Sequence, residues 1–204
     1  MLDRAIRKAL YEDLMSNRPA PDTTFIDELG LCEASARVDI AVVDSSLRGY
    51  EIKSDGDTLQ RLPNQIDVYS RVFDYVTVVA GGRHVHKVLD LVPAWWGLLE
   101  ACEDGNAVRF TPVRDGLPNT SVDAFSLAQL LWRDEALDQL KAMGIARGVL
   151  SKPREDVMKR LAASCTVEEV GRFVRRQLKA RSKWRVPSET DASLLLRSRE
   201  RITR

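Results

Sequence analysis

Cysteine is scarce in this 204-residue chain: Cys32, Cys102 and Cys165 are the only three. No two stand in a CxxC spacing and their number is odd. That excludes a zinc ribbon and a disulfide scaffold, and predicts reduced, unligated thiols. Long apolar runs are missing too. No stretch approaches the 18 apolar residues of a membrane span, so no membrane association is expected. The opening MLDRAIRKALYEDLM alternates charged with apolar residues, unlike a signal peptide, and the expected location is the cytoplasm. Net charge is almost absent. The 31 Lys/Arg and 30 Asp/Glu give +1, which excludes a uniformly basic nucleic-acid coat and an acidic, halophile-like chain. What is present is 44% hydrophobic residues, enough to bury a core and to exclude global disorder. The length suits one domain, or one domain with a small helical appendage.

The near-zero total hides a segregation. Residues 1–146 hold 15 Lys/Arg and 23 Asp/Glu, a balance of −8, whereas residues 147–204 hold 16 and 7, a balance of +9. An acidic body with a basic end separates carboxylate chemistry from polyanion binding along the chain. The simpler reading of the basic end is a solvated helical face.

Apolar spacing predicts a helix over residues 2–15, and a break at NRPAPD, residues 17–22. The β-branched run ARVDIAVVD (36–44), the Ser45-Ser46 turn and LRGYEIK (47–53) predict a hairpin. SDGD (54–57) reads as a turn that caps the next helix. That helix covers residues 59–73, with its regular part starting near Leu62 because Pro63 is tolerated only in a first turn. YVTVVA (75–80) is a third strand, and HVHKVLDL (84–91) fits a short helix or a strand. Residues 96–101 and 107–112 form a further strand pair. Helices follow over 127–143, 153–163 and 167–180, the last capped by Thr166. The expected organisation is an α/β part over residues 1–120, then an all-helical basic region over 121–204 packed on it.

The segment from Val38 to Tyr69 carries the chemistry. Side chains alternate along a strand, so Glu51 and Lys53 share one face while Tyr50 and Ile52 share the other. Asp39 interrupts the apolar strand before them. Ionisable groups at such positions carry a large desolvation cost unless they pair, bind metal or sit at an open end. Two carboxylates can hold a magnesium ion through oxygen. A nearby ammonium can orient a nucleophile or stabilise a phosphoryl transition state. Gln65 and Tyr69, four residues apart, share a helix face. The simpler readings are a solvent-exposed strand face with a cross-strand ion pair, and an ordinary half-buried helix face.

Asp39 followed by Glu51-Ile52-Lys53, with Gln65 and Tyr69 in the next helix, resembles the PD-(D/E)XK nuclease superfamily and the QxxxY motif of its RecB-like branch. The run RVDIAVVDSSLRGYEIKSDGDTLQRLPNQIDVYSRVFDYVTVV, with LLWRDEA further on, is similar to uncharacterised bacterial proteins with this core. The resemblance implies a restriction-endonuclease-like mixed sheet flanked by helices. It implies a hydrolase, a DNA-cleaving nuclease of repair, defence or mobile-element biology, with Mg2+ or Mn2+ as cofactor. Asp39, Glu51 and the Ile52 carbonyl would hold the metal, supported by an upstream acid, Glu28 first and Glu12 second. Lys53 would orient the attacking water, and Gln65 and Tyr69 would steady the site. Val38 stands in place of the motif's proline.

Arg172, Arg175, Arg176, Lys179, Arg181, Lys183 and Arg185 can project from the basic end toward phosphates, with Trp184 among them available to stack. His84 and His86 lack enough companions for a metal site. Trp95 and Trp96 point opposite ways on a strand, so at least one belongs to the core. Endo- and exonuclease action are equally open, and a homodimer is among the assembly options. The alternative from another class is a non-catalytic nucleic-acid-binding or protein-interaction module that retains the nuclease fold.

Overall fold

The computed structural model describes residues 2–17, 22–105 and 107–181. Ile6, Leu10 and Leu14 recur one turn apart, and they make α1 (Asp3–Asn17) a helix with one buried stripe. Strands β1 (Thr24–Leu31), β2 (Ala36–Val43) and β3 (Leu47–Lys53) form an antiparallel meander. Helix α2 (Leu62–Ser70) crosses to β4 (Tyr75–Gly81), and α3 (Val85–Leu91) crosses to β5 (Gly97–Asp104). Both strand pairs are parallel, and each has its crossover helix, as parallel pairing requires. β6 (Ala107–Arg114) returns antiparallel to β5, giving a six-stranded mixed sheet in the order β1-β2-β3-β4-β5-β6. Four helices follow: α4 (Ala124–Ala128), α5 (Arg133–Ala142), α6 (Arg154–Ser164) and α7 (Val167–Ala180).

The two sheet faces bury separate cores. On one, the α1 stripe packs with Ile40, Val42, Tyr50, Ile52 and Val79. On the other, one continuous apolar cluster joins the sheet to α2, α3 and α4–α7, with Tyr69, Phe73, Trp96, Met158 and Val174 inside it. Gly49 is required here, because a Cβ would stand 2.9 Å from the Phe73 ring. The segment between β6 and α4 is laced back to the sheet by Leu117 N–H to the Trp95 carbonyl and Asp123 N–H to the Arg71 carbonyl. The helical region therefore rests on the sheet through shared core.

The mixed α/β sheet followed by helices agrees with the sequence, and Pro63 does sit in the first turn of α2. Trp96 is fully buried, and Trp95 meets it edge-on. Thr166 and Glu169 form a reciprocal capping box on α7. Residues 84–91 resolve to a helix. Three details differ. β1 has no counterpart in the sequence reading, because Asp27, Glu28 and Gly30 obscure its alternation and Glu28 takes φ 52°. The SDGD turn does not cap α2. Asp57 instead accepts from Ser54 N–H at 2.7 Å and Ser54 Oγ at 2.6 Å, while Arg61 stands at the N-cap without a side-chain bond. The helix expected over 127–143 is broken at Trp132. The carbonyls of Gln129 and Leu131 are taken by Arg154, and that of Leu130 by Arg181. Tertiary arginines thus satisfy the orphan acceptors of a helix end, which local spacing does not reveal.

Candidate functional site

Strand alternation sets Glu51 and Lys53 toward α2, as expected, and both are 3% exposed. Lys53 Nζ donates to Glu51 Oε1 at 2.6 Å and to Gln65 Oε1 at 3.1 Å. Gln65 Nε2 donates to Glu51 Oε1 at 2.6 Å. The Tyr69 hydroxyl lies 2.6 Å from Glu51 Oε2 and 2.7 Å from the Arg37 carbonyl. The residues expected to form a motif therefore do meet, with both Glu51 oxygens occupied.

Burial pushes the Glu51 carboxyl up from its ordinary range, Asp39 adds to that rise, and Lys53 opposes it. Burial and then Glu51 push the Tyr69 phenol up as well. A phenol has one proton to give. When Glu51 is protonated it donates to Tyr69, and Tyr69 donates to the Arg37 carbonyl, so the chain of bonds closes.

Asp39 faces a different helix. The Asp27–Ile40 and Leu29–Val38 pairs of β1 and β2 flank Glu28 and Asp39, where the left-handed Glu28 interrupts the ladder. The inward-facing parity changes at this point. Val38 joins the core beneath α2, and Ile40 joins the core beneath α1. Asp39 Oδ2 accepts the Ile52 N–H at 2.7 Å. Asp39 Oδ1 receives Arg7 Nη2 from α1 at 2.7 Å, and Arg7 Nη1 reaches the Asp39 carbonyl at 3.0 Å. The same guanidinium lies 3.1 Å from Glu28, 3.6 Å from Asp3 and 3.9 Å from Asp27. Burial opposes the Arg7 charge, but Asp39, Asp3 and Glu28 outweigh it and raise its pKa. Glu28 is thus brought beside Asp39 through Arg7, whereas Glu12 is exposed on α1. Ile52 meets Asp39 through its N–H, and its side chain belongs to the α1 core.

In this arrangement the carboxylates bond to Arg7, Lys53, Gln65, Tyr69 and a backbone N–H. Among the described residues, no three His, Cys, Asp or Glu side chains converge as a metal-holding group. What the cluster does chemically is neutralise itself and tie α1 and α2 to the interior strands β2 and β3. Sequence reasoning missed Arg7. Its signal was the Asp3–Arg7 spacing of four beside the α1 apolar stripe.

The basic end divides. Arg175 pairs with Asp74 at 3.4 Å and Lys179 with Asp22 at 2.6 Å. Arg181, 7% exposed, grips both oxygens of Glu135 at 2.8 and 2.5 Å. These three hold α7 to the body. Arg172 and Arg176 are exposed. Lys183, Trp184 and Arg185 lie outside the described residues. His84 is buried at the start of α3, with no hydrogen-bond partner for either ring nitrogen among the described residues, and His86 is exposed. Cys32, Cys102 and Cys165 are unpaired.

The protein is thus an α/β mixed sheet with a polar cluster on its interior strands β2 and β3, and a helical layer packed on one face. The chain belongs to the bacteriophage P4 protein cII family, which it matches over residues 2–200. It is 28% identical over 179 residues to protein cII of Enterobacteria phage P4, covering 88% of this chain and 67% of that protein. No solved structure matches it.

This membership overturns the expectation of a metal-dependent nuclease. The family and the P4 relative are protein cII, not a phosphodiesterase or other hydrolase, and the non-catalytic alternative fits better. Among the described residues no helix is long and apolar enough to cross a membrane.

Proposed function

We propose that the protein is a non-catalytic DNA-binding module that retains a restriction-endonuclease-like core of the PD-(D/E)XK type. The observation that carries this reading is the placement of Arg7 between Asp39 and Glu28, which fills an acidic cluster with a fixed cation. The motif residues then serve as a structural lock. Binding falls to the basic end, where the charge balance of +9 over residues 147–204 opposes the −8 of the body. Arg172 and Arg176 are its exposed cations on α7. Phosphate contacts release counterions, so affinity falls steeply with salt.

The test is binding of labelled duplex DNA to the full chain across a salt series, with magnesium present. The expected result is salt-sensitive binding with the DNA left intact. Replacing Arg172 and Arg176 together by Glu should weaken binding at least about tenfold and lower the salt slope by about two. A folded protein that ignores duplex DNA even at low salt would sink the reading and favour a protein-interaction module.

A further inference from the structure

Trp132 is a large aromatic left 61% exposed, and it is built rather than loose. Its backbone N–H, not the indole, donates to Glu135 Oε2 at 2.8 Å at the start of α5. One face of its indole is covered by the Arg181 guanidinium, 4.4 Å from the ring centroid. Arg181 is itself immobilised by Glu135 and by the Leu130 carbonyl at 2.8 Å. A cation seated on one face of an indole with both partners locked is a preorganised surface.

Its surroundings point to the occupant. Arg181 reaches Glu135 and Arg176 reaches Gln139 at 3.2 Å, so α5 and α7 run antiparallel along one seam. Arg176 lies on that seam, and Arg172 one turn further along α7, about 7.5 Å and then about 6 Å of helix rise back from Arg181. The Arg172–Glu168 contact is long, 3.7 Å, and both side chains are largely exposed, so it leaves the guanidinium accessible. An aromatic platform followed by spaced cations is the arrangement that takes an unpaired base and its neighbouring phosphates.

We infer that the Trp132 indole is a base-stacking platform for single-stranded nucleic acid, continued by Arg176 and Arg172 as phosphate contacts. The inference rests on the nucleic-acid-binding reading above and narrows it to strands with unpaired bases, such as melted or tailed DNA. A duplex keeps its bases stacked on each other, so it would use the arginines without the indole.

The experiment compares wild type, Trp132→Ala and Trp132→Phe in the full chain. Fluorescence anisotropy would follow a labelled oligothymidylate of about twenty nucleotides and a duplex of the same length, each over a salt series. Trp132→Ala should weaken single-strand binding about 5- to 150-fold, the equivalent of about 1–3 kcal/mol for one stacked base. The salt slope and the duplex affinity should stay unchanged. Trp132→Phe should recover most of the loss. Tryptophan emission should fall when oligothymidylate is added to wild type, and fall less with Trp132→Phe. Single-strand affinity of Trp132→Ala within twofold of wild type overturns the platform while leaving duplex binding standing. A wild type that binds neither strand form overturns both readings and turns the exposed indole over to a protein partner.

Discussion

Arg7 contacts Asp39 twice, through Nη2 to Oδ1 at 2.7 Å and through Nη1 to the backbone carbonyl at 3.0 Å. One residue of α1 thus satisfies both a side-chain and a main-chain acceptor where the β1–β2 ladder is interrupted. The planar guanidinium suits this forked geometry and stays charged at any ordinary pH. Asp3, Asp27 and Glu28 gather around the same group, which relieves their mutual repulsion, Arg37 helping at Glu28.

Arg7→Ala should therefore destabilise the fold by about 2–3 kcal/mol, less than a fully buried pair would lose because the guanidinium is partly exposed. Arg7→Lys should recover only part, lacking the second donor arm. Removing the resident cation should also make the cluster receptive to another. Millimolar manganese should raise the melting temperature of Arg7→Ala and leave that of wild type in place. Differential scanning fluorimetry reads both effects, and an equal shift in the two proteins would show that Arg7 does not guard the carboxylates.

Glu51 separates size from charge. Glu51→Ala should cost about 3–5 kcal/mol, because Lys53, Gln65 and Tyr69 all lose their shared acceptor in a dry site. Glu51→Gln keeps an oxygen for Lys53 and Gln65 and supplies an N–H to the Tyr69 hydroxyl. It should cost less than Glu51→Ala but still destabilise at neutral pH, because the buried Lys53 ammonium loses its counter-charge while keeping a hydrogen-bond acceptor. Urea denaturation of the two variants checks the contrast, and equal losses would mean that the carboxylate charge itself holds the site.

The same carboxyl predicts a pH dependence. Asp39, Lys53 and Tyr69 face Glu51, with Gln65 between them, and burial gives the largest effect, raising its folded pKa. An unfolded glutamate titrates near about 4.3. A raised folded value means tighter proton binding in the folded state. That stabilisation is complete below the unfolded pKa and is lost as pH rises through the folded one. Wild type should therefore lose stability relative to Glu51→Gln as pH climbs above the unfolded value of about 4.3. A gap that is flat or moves the other way would show that Lys53 outweighs burial.

The β2–β3 hairpin, the helix between β3 and β4 and the shared face of Glu51 and Lys53 were legible because they follow from apolar periodicity, β-branched runs and turn residues. So was the α2 face bearing Gln65 and Tyr69, from a spacing of four. What escaped were interactions between distant segments. Arg7 fills the cluster from 32 residues away, and its pairing with Asp39 leaves no mark on the β2 sequence. Trp132 breaks a helix whose apolar spacing runs on, because Arg154 and Arg181 accept the burden of the freed carbonyls. The nuclease expectation failed on family membership, which groups the chain with protein cII of phage P4. Motif spacing says which side chains meet and does not say what chemistry they carry.

The basic residues of α7 should sort by partner rather than by charge. Arg181 is engaged by Glu135 and the Leu130 carbonyl in a nearly buried setting, so Arg181→Ala should destabilise the protein by about 2–4 kcal/mol and loosen α7 from α5. Lys179→Ala should change stability only slightly, because its partner Asp22 is exposed. Arg175→Ala should act mainly on folding through Asp74, whose Oδ2 also accepts the Leu47 N–H at 2.7 Å at the start of β3. Arg172→Glu and Arg176→Glu should leave the melting temperature nearly unchanged and act on DNA affinity, each lowering the salt slope by about one. Melting curves and salt-dependent binding on the same five variants decide it. If Arg175→Ala and Arg172→Glu alter the salt slope equally, the ion pair with Asp74 gives way to phosphate, and the division between structural and binding cations on α7 does not hold.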